Sequence, residues 1–328
     1  MFSLAMKGVL FLMFFMVSGS AETSQTYVSL IQSKNFFEAE RQLTELENSK
    51  LKNADGNYVF YQTIREISKD LALDPDASLP ALNTWCGQSS HLYLPFLIRG
   101  RFYKDFAWAD RGTTFADKVL PEAWPVFKER LALAKKDLSE AAGLNPQSAE
   151  PWVALMAVDL GLGDYENLEK SFNEAVKLDK DHYGSYYVML QSKMEKWGGS
   201  NEEMFEFARS AYRKGDGNPA FGFLLLEAHD EMASRRKSAT DGKKQDYYQR
   251  PEIYEEMRGI VDAILKEYSQ SVRALNWSAK IDYFAGKYAE ALRQLELLED
   301  AVDEDVWKRD FVMKTKAWLN SQRAMGKF

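Results

Sequence analysis

Residues 149–182, AEPWVALMAVDLGLGDYENLEKSFNEAVKLDKDH, constrain the fold more than any other stretch of this 328-residue chain. Trp152, Leu155 and Met156 share one helical face, and Leu168, Phe172 and Ala175 share another, because residues three and four apart stack along a helix. Between them, Gly163 can enter the left-handed conformation that reverses a chain tightly. Two such helices cannot hide both apolar faces against each other, so further hairpins must stack on them. The stretch dictates an all-α chain of stacked helical hairpins.

Trp152 and Leu155, the turn Gly163-Asp164-Tyr165, and Leu168, Phe172, Ala175 and Leu178 together resemble one tetratricopeptide (TPR) repeat, a 34-residue helix–turn–helix unit. Leu275, Gly286, Tyr288, Ala291 and Leu295 resemble a second. Fainter second-helix registers occur at Phe36, Ala39, Leu43 and Leu46, and at Ala134, Leu138, Ala141, Leu144 and Pro146. Residues 90–215 also resemble a bacterial TPR-related helical domain of unknown function. That likeness is carried by Arg99-Gly100, by Trp108-Ala109-Asp110-Arg111-Gly112, by Trp124 with Phe127, and by the Lys196–Ser200 turn. These resemblances imply a fold and not an activity: an irregular TPR-like α-solenoid. Met156 in place of a small residue and Lys180 in place of a proline predict an irregular array, not an even superhelix.

The N-terminus reads differently. Lys7, the apolar run Val9–Val17 and the small residues Gly19-Ser20-Ala21 have the order of an export signal cleaved after Ala21. The run is shorter than the roughly 20 apolar residues a spanning helix needs. An uncleaved N-terminal anchor is the alternative. Export predicts a periplasmic or secreted protein, and no later segment reads as a membrane span. The chain then divides into degenerate helical repeats at 22–90, a central TPR-like domain at 91–217 and C-terminal helical repeats at 218–328. Within these, 73–80 reads as a loop, 236–250 as an exposed basic segment, and 306–322 as a polar helix capping the stack. Cys86 is the sole cysteine, so stability must come from packing, and its apolar setting beside Trp85 marks an inert buried thiol.

A net charge of −7 argues against a general nucleic-acid binder. Arg99, Arg101 and Arg111, beside Trp108 and other aromatics, are candidate binding residues that could grip a carboxylate or stack on rings. The favoured reading is that they pair with Asp105, Asp110 or Asp117 and lock the connector after Arg111. Trp197, in the Lys196–Ser200 loop, is a further candidate. Two glycines before a helix suit an anion, but Ser200 with Glu203 reads as a capping box that already uses those amides. Glu227, His229 and Glu231 lack a second histidine on their face and read as structural. Asn276-Trp277-Ser278 matches a glycosylation acceptor, but inside a helix. No nucleophile motif, phosphate loop, metal set or cofactor motif is present. The sequence thus predicts a non-catalytic scaffold or adaptor that binds a protein or peptide in a concave helical groove. The alternatives are a structural part of a cell-envelope assembly or secretion complex, and an enzyme using the arginine–aromatic region.

Overall fold

The computed structural model describes residues 20–112, 118–214, 218–239 and 244–328, the side chains of 20–23 and 236–239 excepted. The expected signal segment and Asp117 lie essentially outside these residues. The described residues form sixteen α-helices and no β-strand. Contacts gather them into two compact units, Met1–Leu51 with Asn57–Met189, and Lys52–Gly56 with Leu190–Phe328.

The first unit holds α1 (Ser20–Gln32), α2 (Phe36–Ser49), α3 (Val59–Leu73), α4 (Pro75–Gln88), α5 (Tyr93–Arg111), α6 (Ala123–Leu144), α7 (Glu150–Leu162) and α8 (Tyr165–Leu178). Helix α9 (Tyr183–Ser192) contains the boundary between the units. The α7–α8 hairpin forms as its sequence requires. Gly163 sits at φ +73°, and the Asp164 N–H bonds the Asp159 carbonyl at 2.9 Å, closing the first helix with a Schellman turn. Asp164 then caps the second helix by accepting from the Asn167 N–H at 3.2 Å. Leu155, Met156, Leu168 and Ala175 are buried, while Trp152 and Phe172 are half-buried. Helices α5 and α6 pack along one another. Gly100 permits the close approach, since a Cβ there would lie 2.7 Å from Leu138 Cγ.

The second unit holds α10 (Asn201–Lys214), α11 (Gly222–Ala239), α12 (Lys244–Tyr248), α13 (Pro251–Glu267), α14 (Val272–Phe284), α15 (Tyr288–Leu298) and α16 (Arg309–Ala324). Its α14–α15 hairpin repeats the same turn, with Gly286 at φ +79° and the Lys287 N–H bonding the Asp282 carbonyl at 2.8 Å. Two hairpins far apart in sequence thus share one TPR-like construction. Asn276, Trp277 and Ser278 are buried within α14, which leaves no room for a glycan.

Three expectations are corrected. Residues 73–80 are not a loop: Asp74 accepts the Ala77 N–H at 3.1 Å and Pro75 opens α4, so the proline that suggested a break instead starts a helix. The basic stretch 236–250 is not wholly exposed. Helix α11 continues to Ala239, and α12 buries Tyr247 and Tyr248, whose ring area outweighs the polar composition around them. Helix α16 is not simply polar. It leaves Phe311, Met313 and Trp318 partly exposed, with Trp318 meeting Tyr288 edge-on at 5.1 Å.

Candidate binding cleft

The sequence-derived candidates Arg99, Arg101, Trp108 and Arg111 all fall in the first unit, on α5, and Trp197 falls in the second. Arg99 makes a fork to Asp137 at 2.7 and 2.8 Å and bonds Asn83 at 3.0 Å. Arg101 is buried against Glu150. Arg111 lies 4.9 and 5.0 Å from the Trp108 and Trp124 ring centres and donates to the Gly112 carbonyl. Arg99 and Arg101 are therefore engaged with carboxylates other than those expected, while Asp117, the third expected partner, lies outside the described residues. Asp110 pairs with Arg130, and Asp105 with Lys104. The partners Asp137 and Glu150 come from α6 and α7, which sequence proximity could not reveal. Trp197 is half-buried in a 3-10 turn, Glu195–Trp197. Nearby the Glu203 N–H donates to Ser200 Oγ at 3.1 Å, as the capping pattern requires.

Glu150 also faces His182, whose Nε2 lies 2.9 Å from its second oxygen. The Ser185 N–H donates to His182 Nδ1 at 3.2 Å, so that nitrogen accepts and Nε2 carries the proton toward Glu150. Ser185 Oγ lies 3.3 Å from Nδ1, an order of groups that superficially suits nucleophilic catalysis. Ser185 is fully buried, however, and a reacting carbonyl has no route to it. The arrangement is a buried polar core. Cys86 is likewise buried, and burial pushes its thiol up to about 12, so it is held as an unreactive thiol.

The second unit contains an open cleft of about 470 Å³, lined by Asp230, Lys244, Lys280, Phe284, Trp307, Lys308 and Phe311 with Glu304, Asp305 and Val306. Asp230 forms the floor. It receives Lys244 at 2.5 Å, Lys280 at 2.9 Å and the Tyr248 hydroxyl at 2.7 Å. Burial opposes its ionisation, but Lys280 and Lys244 outweigh burial and pull its carboxyl down to about 2. Tyr248 moves the other way, pushed up by burial and by Asp230. Phe284 and Phe311 form an offset parallel pair, 6.1 Å apart and inclined by 9°. Trp307 anchors one side by donating to Asn276 Oδ1 at 3.0 Å, and Lys280 holds the adjacent loop through the Val306 carbonyl at 2.6 Å. A rigid aromatic wall beside a charged, hydrogen-bonded floor suits binding of an amphipathic ligand.

This cleft was missed in the sequence because its residues come from α11, α12, α14, α16 and the loop 299–308. One signal was available. Lys280 stands in the first helix of the second repeat, amid Trp277, Ala279 and Ile281, where a charge demands a partner. His229, read as structural, is buried next to this region, with Nδ1 2.8 Å from the Tyr247 hydroxyl.

No protein-family model matches the chain, and no curated protein sequence matches it. Among solved structures, the TPR domain of P58(IPK) aligns with 93% of this chain and 80% of its own, at 17% identity and a TM-score of 0.25. A TM-score that low supports nothing about binding, and the TPR-like character of this all-α protein rests on its own two Gly-centred hairpins.

Proposed function

We propose that this protein is a TPR-like binding scaffold that holds a polypeptide ligand in the cleft of its second unit. The observation that carries this reading is the open cleft in which the half-exposed Phe311 ring, stacked on buried Phe284, stands beside a fixed Asp230–lysine floor. Polypeptides offer both apolar side chains and charged groups, which this lining complements. Binding without catalysis is favoured because the floor groups are committed to one another and Asp230 stays ionised far below neutral pH, whereas a general acid or base needs a pKa near the working pH. Export remains part of the proposal on residues 1–21 alone, and cell fractionation of the tagged full chain tests it.

Site-specific photo-crosslinking in the native cell tests the binding reading. A photoreactive residue at Phe311, half-exposed on the cleft, should capture a discrete polypeptide, whereas one at Leu73, 81% exposed elsewhere, should not. Equal capture at both positions, or none at Phe311, refutes the cleft as the binding site.

A further inference from the structure

A row of aromatic rings leads away from the cleft across α14, α15 and α16. Phe311, on the cleft lining, lies 5.9 Å from Tyr283, and Tyr283 lies 6.3 Å from Trp318. Trp318 meets Tyr288 at 5.1 Å, and Tyr288 meets Phe328 at 6.0 Å. Exposure alternates along the row. Phe311, Trp318 and Phe328 are 41, 41 and 37% exposed, while Tyr283 and Tyr288 between them are half-buried. Phe311 and Trp318 are separated by two helical turns, which puts them on one side of α16 about 10 Å apart. Among the described residues neither the Trp318 indole N–H nor the Tyr288 hydroxyl has a hydrogen-bond partner. The cleft lining is charge-balanced, Lys244, Lys280 and Lys308 standing against Asp230, Glu304 and Asp305, so it does not call for a charged ligand.

We infer that the polypeptide held by the second unit is a proline-rich segment in the polyproline II conformation, lying along this row from the cleft toward Phe328. This rests on the reading of the cleft as a polypeptide site. A polyproline II helix repeats every three residues, about 9 Å. That matches the separation of Phe311 and Trp318, so successive exposed rings meet successive turns of the ligand. Its pyrrolidine rings are apolar and already fixed in conformation, so stacking them on aromatic rings costs little entropy. Proline has no N–H and polyproline II makes no internal hydrogen bonds, which leaves the ligand's carbonyls as the groups needing partners. The Trp318 N–H and the Tyr288 O–H are donors suited to them. An α-helix uses its carbonyls internally, and an extended strand brings N–H groups that an indole cannot accept. A lipid surface also takes exposed aromatics. Residues 296–328, however, hold seven carboxylates against six lysines and arginines, so no positive excess draws them to anionic headgroups.

Calorimetric titration of the full chain with capped decaproline tests this, beside a capped Gly-Ser decapeptide and phosphatidylglycerol vesicles. Decaproline should bind, and the Gly-Ser peptide should bind about tenfold more weakly or not at all. Trp318→Ala should weaken decaproline about tenfold, as for an aromatic anchor. Trp318→Phe, which keeps a ring and removes the N–H, should weaken it about fivefold, the loss of one hydrogen bond. Phe328→Ala, outside α16, should also weaken it and keeps the test open if Trp318→Ala does not fold. Equal binding of the two peptides, or decaproline binding that none of these substitutions changes, overturns the inference. Vesicle binding that Trp318→Ala abolishes, without decaproline binding, overturns it in favour of a lipid surface. If decaproline does not bind but Phe311 still captures a discrete polypeptide, this inference falls and the cleft reading stands. If neither occurs, both fall.

Discussion

Replacing Glu150 with alanine should cost the first unit about 3–5 kcal/mol, the range for orphaning one partner of a buried ion pair. Glu150 is 1% exposed, with one oxygen on Arg101 and the other 2.9 Å from His182 Nε2. Without it, Arg101, itself 7% exposed, must still be buried on folding but has no anion to meet. Restoring the carboxylate by any other route would require backbone movement, because α5 and α7 fix the geometry. The pH dependence has a definite sign. Burial pushes the Glu150 carboxyl up, but Arg101 and His182 outweigh it and hold the pKa below its ordinary 4.5. The folded value is therefore below the unfolded one. Its stabilisation is complete above about pH 4.5 and is lost as pH falls through the folded value. The gap between the parent and Glu150→Ala should narrow accordingly in acid. Replacing both partners, Arg101→Met with Glu150→Leu, should recover most of the loss, since no charge is then orphaned. With two compact units a single denaturation curve is not a two-state quantity. The assay is accordingly amide hydrogen exchange of α5 and α7 as urea rises. A loss under about 1 kcal/mol, or a gap that does not narrow in acid, refutes a desolvated pair.

Three further outcomes follow from the same geometry. Gly100→Ala should destabilise by about 1–3 kcal/mol through overpacking against Leu138 and the Ala134 carbonyl. Gly143→Ala, with nothing within 4 Å of its Cβ, should not lower the thermal midpoint, and equal effects would refute the close α5–α6 approach. Cys86 should resist a thiol reagent at pH 8 in the native protein and react on unfolding, because burial lifts its thiol to about 12. Stoichiometric native labelling would refute that burial. His229 is depressed by burial to about 4, with Glu256 opposing and Arg209 reinforcing the shift. Its neutral form therefore stabilises the second unit above about pH 6.5, and that contribution, on the order of 3 kcal/mol, is lost as pH falls toward 4. Exchange protection of α11 should fall across that window and flatten in His229→Gln, and a flat parent profile would count against a neutral buried histidine.

The parts legible in the sequence were those that local physics writes into it. The faces of α7 and α8, the reversal at Gly163 and its counterpart at Gly286 follow from periods of three and four and from one residue's freedom at positive φ. The arginines of α5 were legible as charges needing partners, but the sequence offered nearby Asp105 and Asp110, while folding chose Asp137 and Glu150. Proline misled at residue 75, because its missing N–H breaks a helix interior and costs nothing in a first turn. The basic segment before Arg250 concealed Tyr247 and Tyr248, whose burial depends on His229 and Asp230 waiting across a helix. Helix existence and the hairpin turns were thus determined by the sequence itself, since each depends on residues within a few positions. The choice of ion-pair partners and the assembly of the cleft from Asp230, Lys244, Lys280 and Trp307 were decided only by tertiary structure. A charge or a ring pairs with whatever packing brings within a few ångströms, and spacing along the chain does not encode that distance.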